Sequence, residues 1–146
     1  MRNITVAAIQ MRCVQDPAEN IRTACRLVRQ AAAAGGQVVL LPELFERPYF
    51  CQERRYEYYS YAAPVEENAA VQVGIRLARE LHIVLPISFF ERDCNNFYNT
   101  VACIDADGTL LGTYRKTHIP DDHYYQEKFY FTPGDTGFRV FRTKFG

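Results

Sequence analysis

Three residues stand where an α/β chain can do chemistry. Glu43 sits in Leu40-Leu-Pro-Glu-Leu-Phe45, directly after an apolar run that reads as a buried strand. In open α/β sheets the functional crevice lies at the carboxyl ends of strands. A carboxylate held by Pro42 and flanked by Leu44 and Phe45 is expected to be partly desolvated, which suits a general base. From position alone, a surface loop acid fits as well. Lys116 follows a second strand pattern and is one of three lysines in the chain, with Lys128 and Lys144. A half-buried ammonium there can hold an oxyanion; a strand-end surface lysine is the plainer reading. Glu127 lies among Tyr124, Tyr125, Phe129, Tyr130 and Phe131. An acid in such company is expected to be partly buried and to need a cation, with Lys128 or an arginine as the nearest choice.

The other reactive side chains are weaker candidates. Cys25 and Cys103 read as core positions in a helix and a strand. Cys13 and Cys51 follow element ends and could be exposed, yet neither has a neighbouring histidine nor a strand-turn-helix elbow. His118 and His123 flank Asp121 and Asp122 in a loop, without further marked ligands for a metal. The five cysteines contain no CxxC pair, which reads as reduced thiols in a cytoplasmic protein.

These residues must be positioned by a framework, and the patterning supplies one. Residues 3–10 are short, β-branched and apolar on both faces, as in a strand covered on both sides. Asp16-Pro-Ala-Glu19 reads as a capping box with proline at the first helical position. The helix that follows carries Ile21, Cys25, Val28 and Ala31 or Ala32 on one stripe, and Gly35-Gly36 ends it. Residues 37–41 form a second buried strand stopped by Pro42. A short helix is possible near 53–61. A longer one spans about 66–81, with Glu66 and Glu67 in its first turn. Residues 82–90 read as a third strand. Residues 97–105 and 109–115 are two strands joined at Ala106-Asp107-Gly108, a strong hairpin signal. A long loop covers 116–136, and 138–143 starts another strand. The expected fold is an α/β sandwich with helices on one face of a mixed sheet.

Composition closes off several classes of function. The chain has 146 residues, 48% of them apolar and 23% charged, so it can build one domain with its own core. Lysine plus arginine balance aspartate plus glutamate, 17 against 17, so no basic footprint for nucleic acid or anionic membrane exists. No apolar run approaches the ~18 residues of a membrane span. The N-terminus, from Met1, runs straight into the strand pattern with no signal peptide. At the other end, residues 138–143 read as one arm of a pair and 144–146 as a turn. The partner arm is missing, so the chain reads as a piece of a longer protein.

Taken together, three segments resemble the nitrilase (carbon–nitrogen hydrolase) superfamily: Leu40-Leu-Pro-Glu-Leu-Phe45, Gly112-Thr-Tyr-Arg-Lys-Thr-His-Ile-Pro120 and Glu127-Lys-Phe-Tyr-Phe-Thr-Pro-Gly134. Pro48-Tyr-Phe-Cys51, Leu85-Pro-Ile-Ser-Phe-Phe90 and Gly134-Asp-Thr-Gly-Phe138 narrow the likeness to the branch that hydrolyses N-carbamoylputrescine in polyamine synthesis. The resemblance runs over residues 1–146. It implies an α-β-β-α fold with a Glu-Lys-Cys triad, of which 1–146 is the N-terminal half. Glu43 would be the general base and Lys116 the catalytic lysine. Glu127 would be a second glutamate that positions the lysine and substrate. No cysteine present matches the nucleophile, so the chain alone is expected to be inactive. No metal or organic cofactor is implied, and the expected partners are a small carbamoyl amine and further copies of the chain. For a diamine derivative, Tyr49, Phe50 and Tyr125 would wall the carbon stem and Asp121 would anchor the ammonium. Where the family has a Gly-Pro-Gly turn before the position of Tyr125, this chain has Asp122-His123-Tyr124. Two other readings stay open: an amidase of the carbamoyl amino acid or omega-amidase type, and a non-catalytic interaction module.

Overall fold

The computed structural model describes residues 3–146; Met1 and Arg2, where the N-terminal reading begins, lie outside the described residues. Strand β1 (Val6–Ala8) leads to helix α1 (Pro17–Ala33), strand β2 (Val38–Leu40), helix α2 (Ala69–Leu81) and strands β3 (Leu85–Asp93), β4 (Asn96–Ile104) and β5 (Leu110–Arg115). β1 and β2 pair in parallel, Val6 opposite Val38. β3, β4 and β5 form an antiparallel meander. Val39 N–H donates to Val84 O and Val84 N–H to Gln37 O, which joins the two groups in the order β1-β2-β3-β4-β5. The mixed sheet with helices on one face is the expected arrangement.

Local chemistry explains the helices. Asp16 caps α1 by accepting from Ala18 N–H, and Pro17 occupies the first helical position. The reciprocal bond expected from Glu19 is not formed among the described residues. At the other end, Gly35 N–H bonds Ala32 O and Gly36 N–H bonds Ala31 O, with Gly35 at φ 94°. This is a Schellman closure, and it needs glycine because a Cβ is strained at that φ. The buried stripe of α1 centres on Asn20, Ala24 and Val28; Ile21 and Cys25 flank it. Asn20 is tolerated there because its amide bonds Val14 N, Val14 O and Glu46 O. Helix α2 starts later than expected: Asn68 is its cap, so Glu66 and Glu67 precede it. Asn68 Oδ1 accepts from Val71 N–H, and an asparagine cap outcompetes the acids before it.

Helix α2 packs on β3 and β4, and α1 packs on α2 and β2; Leu85, Ile87, Phe89, Ala102 and Ile104 lie essentially buried in this core. A second, aromatic core lies beyond the sheet end, where Leu44, Phe50, Cys51, Phe90, Ile119, Tyr130 and Phe131 meet. Residues 53–61 contribute to it as a 3₁₀ turn over Tyr56–Tyr61.

Two expectations fail at the sheet margins. The strand at 3–10 is short and covered on one side only: Val6 is 73% exposed and Leu40 53%. The helices cover one face, and no described element packs on the other. Residues 138–143 form no strand; Phe138 is 81% and Val140 99% exposed, because no described neighbour offers a ladder to pair with. The turn at 144–146 does form, closed by bonds between Thr143 and Gly146. No helix of the described residues is long and apolar enough to cross a membrane.

Candidate active site

Alternation along β5 decides which way its last residues point. Arg115 turns to one face of the sheet and Lys116, one residue later, to the other. Arg115 is locked: its guanidinium reaches Glu91 at 2.7 Å, Asp93 at 2.7 Å and Asp135 at 3.0 Å, and lies 3.9 Å from the ring centre of Tyr98. Hydrogen bonding to Glu91 holds that guanidinium's pKa above its already high ordinary value. The loop then folds back across this strand end. Gly134 N–H donates to Lys116 O, and a Cβ at Gly134 would sit 2.0 Å from Arg115 O, so no other residue fits.

With its backbone clamped, Lys116 extends to the open face and meets both glutamates. Its Nζ donates to Glu43 Oε1 at 3.0 Å and to Glu127 Oε2 at 2.9 Å. Burial pulls the ammonium's pKa down, but the bonds to Glu127 and Glu43 outweigh it and hold the group above its ordinary value. Lys116 is therefore a fixed cation. Glu127 is 1% exposed, more deeply buried than expected, and its cation is Lys116 rather than Lys128 or an arginine. Tyr49 adds a second donor, its hydroxyl 2.7 Å from Glu127 Oε1. Burial and that bond push the Tyr49 phenol well above its ordinary pKa, so it stays a donor.

Glu43 departs from the expected desolvation. Its side chain is 48% exposed and faces a shallow recess lined by Leu40, Leu41, Ser88, Asn99, Val101, Tyr114 and Lys116. The turn that presents it is strained: Leu44 has φ 51° and is held by a bond from its N–H to Ser88 Oγ. Asn99 was not a candidate from sequence. It is 3% exposed, its Nδ2 donates to Glu43 Oε1 at 2.7 Å, and its backbone oxygen accepts from Lys116 N–H. A signal did exist, since the hairpin register puts Asn99 across from Lys116.

The remaining candidates divide. Tyr125 is exposed and lies 6.0 Å from the Tyr49 ring, beside the site. Asp121 and Asp122 (β6) pair with Tyr125 and Gln126 (β7) in a small hairpin. Asp121 is exposed and already faces Arg54 at 3.8 Å. Phe50 does not wall the recess: it is 8% exposed, stacked on Phe90 and edge-on to Tyr130. An unbranched aromatic ring gains more from that cluster than from a wet crevice. Cys51, read from sequence as a candidate for exposure, is fully buried, and burial pushes its thiol's pKa up, opposite to a nucleophile's need. Cys13, Cys25 and Cys103 are raised by burial as well, and Cys94 is exposed at the turn between β3 and β4.

A carboxylate on an exposed rim, a fixed ammonium and a buried second carboxylate form an arrangement able to stabilise negative charge and accept a proton. Residues 5–146 match the family model described as carbon-nitrogen hydrolase, and the chain belongs to that family. The N-carbamoylputrescine amidase of Oryza sativa subsp. japonica is 52% identical over 142 residues, 97% of this chain and 47% of that protein. The citrullinase of Francisella tularensis subsp. tularensis is 46% identical over 145 residues, 99% of this chain and 51% of that protein. The crystal structure of a carbon-nitrogen hydrolase from Helicobacter pylori G27 superposes with a TM-score of 0.89 at 33% identity, covering 97% of this chain and 49% of that one. The α/β fold is thus of the nitrilase type. The chain spans about half the length of the curated relatives it matches.

Proposed function

We propose that residues 1–146 form the N-terminal half of a carbon–nitrogen hydrolase domain that cleaves the carbamoyl C–N bond of N-carbamoylputrescine. The observation that carries the chemistry is one lysine shared by two glutamates at a strand end. The substrate is supported by the 52% identity to a plant enzyme of that name. In this reading the nucleophilic thiol comes from the further length that the relatives possess. Glu43 takes the thiol proton, and the thiolate attacks the carbamoyl carbon. Lys116 holds the oxyanion as the C–O π electrons move onto oxygen. The C–N bond then breaks, and Glu43 returns the proton to the leaving amine. Water releases carbamate, which breaks down to CO₂ and ammonia. Glu127 anchors Lys116 throughout, with Tyr49 fixing Glu127.

A second reading has its own support. The citrullinase relative suggests a ureido amino acid, and Arg54 beside Asp121 offers a cation for its carboxylate. The experiment measures ammonia release from N-carbamoylputrescine, citrulline and a neutral N-carbamoyl alkylamine by the chain extended to its relatives' length. A preference for N-carbamoylputrescine is expected, with no turnover by residues 1–146 alone. Asp121→Asn should raise KM for the diamine derivative and leave the neutral substrate unchanged. Preference for citrulline, lost in Arg54→Ala, would establish the second reading instead.

A further inference from the structure

We propose that Asn99 is a positioning residue that assigns the two oxygens of Glu43 different tasks. The inference rests on the proposed base role of Glu43. Glu43 Oε1 receives two donors, Asn99 Nδ2 at 2.7 Å and Lys116 Nζ at 3.0 Å. Oε2 receives none among the described residues, in a side chain that is 48% exposed. A proton on Oε1 would meet two N–H donors head-on. Proton transfer is therefore confined to Oε2. There the S–H bond breaks, an O–H bond forms and the electron pair stays on sulfur. Oε1 keeps accepting from Asn99 and Lys116 in both protonation states, so the carboxyl plane does not turn between the two half-reactions.

The amide suits this task better than another lysine or a hydroxyl. It donates without carrying charge, so it does not compete with Lys116 for the oxyanion. It also cannot be turned around, because Oδ1 would then face Glu43 Oε1 with two acceptors in contact. The frame is rigid. Asn99 is in the middle of β4, opposite Phe90, and its carbonyl accepts from Lys116 N–H at 2.8 Å. One residue thus ties the base to the strand that carries the lysine.

The test compares Asn99→Asp and Asn99→Ala in the chain extended to its relatives' length. Aspartate keeps the volume of asparagine but puts an acceptor against Oε1; alanine removes the group and leaves room for water. Positioning predicts that Asn99→Asp loses more kcat than Asn99→Ala, with KM within about threefold of the parent. For Asn99→Ala the loss should be about tenfold to a hundredfold, the range for a hydrogen bond to a charged group. A packing role predicts the reverse order, since the isosteric change is then the milder one, and that order would overturn the proposal. A second readout needs no turnover and so separates this inference from the substrate reading. In residues 1–146, the side-chain amide protons of Asn99 should shift upfield by NMR in Glu43→Gln. Unchanged Asn99 amide signals in that variant would also overturn it, whatever substrate is found.

Discussion

Replacing Lys116 by Met should destabilise residues 1–146 far more than replacing either glutamate. The methionine keeps most of the lysine stem, so the perturbation is loss of the ammonium. Glu127, with 2% of its side chain exposed, would then keep, among the described residues, only the Tyr49 hydroxyl as a donor. Removing one partner of a buried ion pair costs about 3–5 kcal/mol, because the other charge is left without compensation. Glu127→Gln removes the buried charge itself. Lys116 is 29% exposed and keeps Glu43, so about 1–2 kcal/mol is expected. Glu43 is 48% exposed, and Glu43→Gln should cost less than about 1 kcal/mol. The double variant Lys116→Met with Glu127→Gln removes both charges and should recover to within about 2 kcal/mol of the parent. Urea unfolding followed by circular dichroism measures all four, with an unchanged m-value as the check on two-state behaviour. In a thermal melt the Lys116→Met loss is on the order of 10 °C for a chain of this size. A Lys116→Met variant no less stable than Glu43→Gln would refute the reasoning, since Glu127 would then not depend on the lysine.

Other consequences follow from the same geometry. The pKa of Lys116 is raised in the fold, so its contribution to stability is complete below the ordinary value of 10.5 and is lost as pH rises through the higher folded value; the stability difference between parent and Lys116→Met should shrink at strongly alkaline pH, and a constant difference would contradict it. Arg115→Leu should cost about 3–5 kcal/mol by leaving Glu91, 6% exposed, without its guanidinium, and adding Glu91→Leu should recover most of that in the same urea assay. The exposed Val6, Leu40, Phe138 and Val140 should make residues 1–146 self-associate, so sedimentation at rising concentration should show species above monomer, and a concentration-independent monomer would count against an exposed apolar face.

Much of the framework is legible in the sequence because its causes are local. Asp16, Pro17 and Gly35 mark the ends of α1 within a turn of where they act, and Ala106-Asp107-Gly108 joins β4 to β5. The strand patterns before Glu43 and Lys116 place both residues at strand ends for the same reason. What each of these residues touches is not local. Lys116 meets Glu43 across 73 positions, and Tyr49 meets Glu127 across 78. A charge run or an aromatic cluster says only that a partner is needed, which is why Lys128 or an arginine, and not Lys116, reads as the nearest choice for Glu127. Tertiary packing chose Lys116, because β5 aims it at the open face while Lys128 stays exposed. Packing likewise drew Phe50 and Cys51 into the aromatic core, gave Asp121 an arginine, and set the Asn99 amide against Glu43. Residue types and strand ends come from short-range steric and hydrogen-bond preferences; the pairing of charges depends on which strands lie side by side, and only the folded sheet decides that.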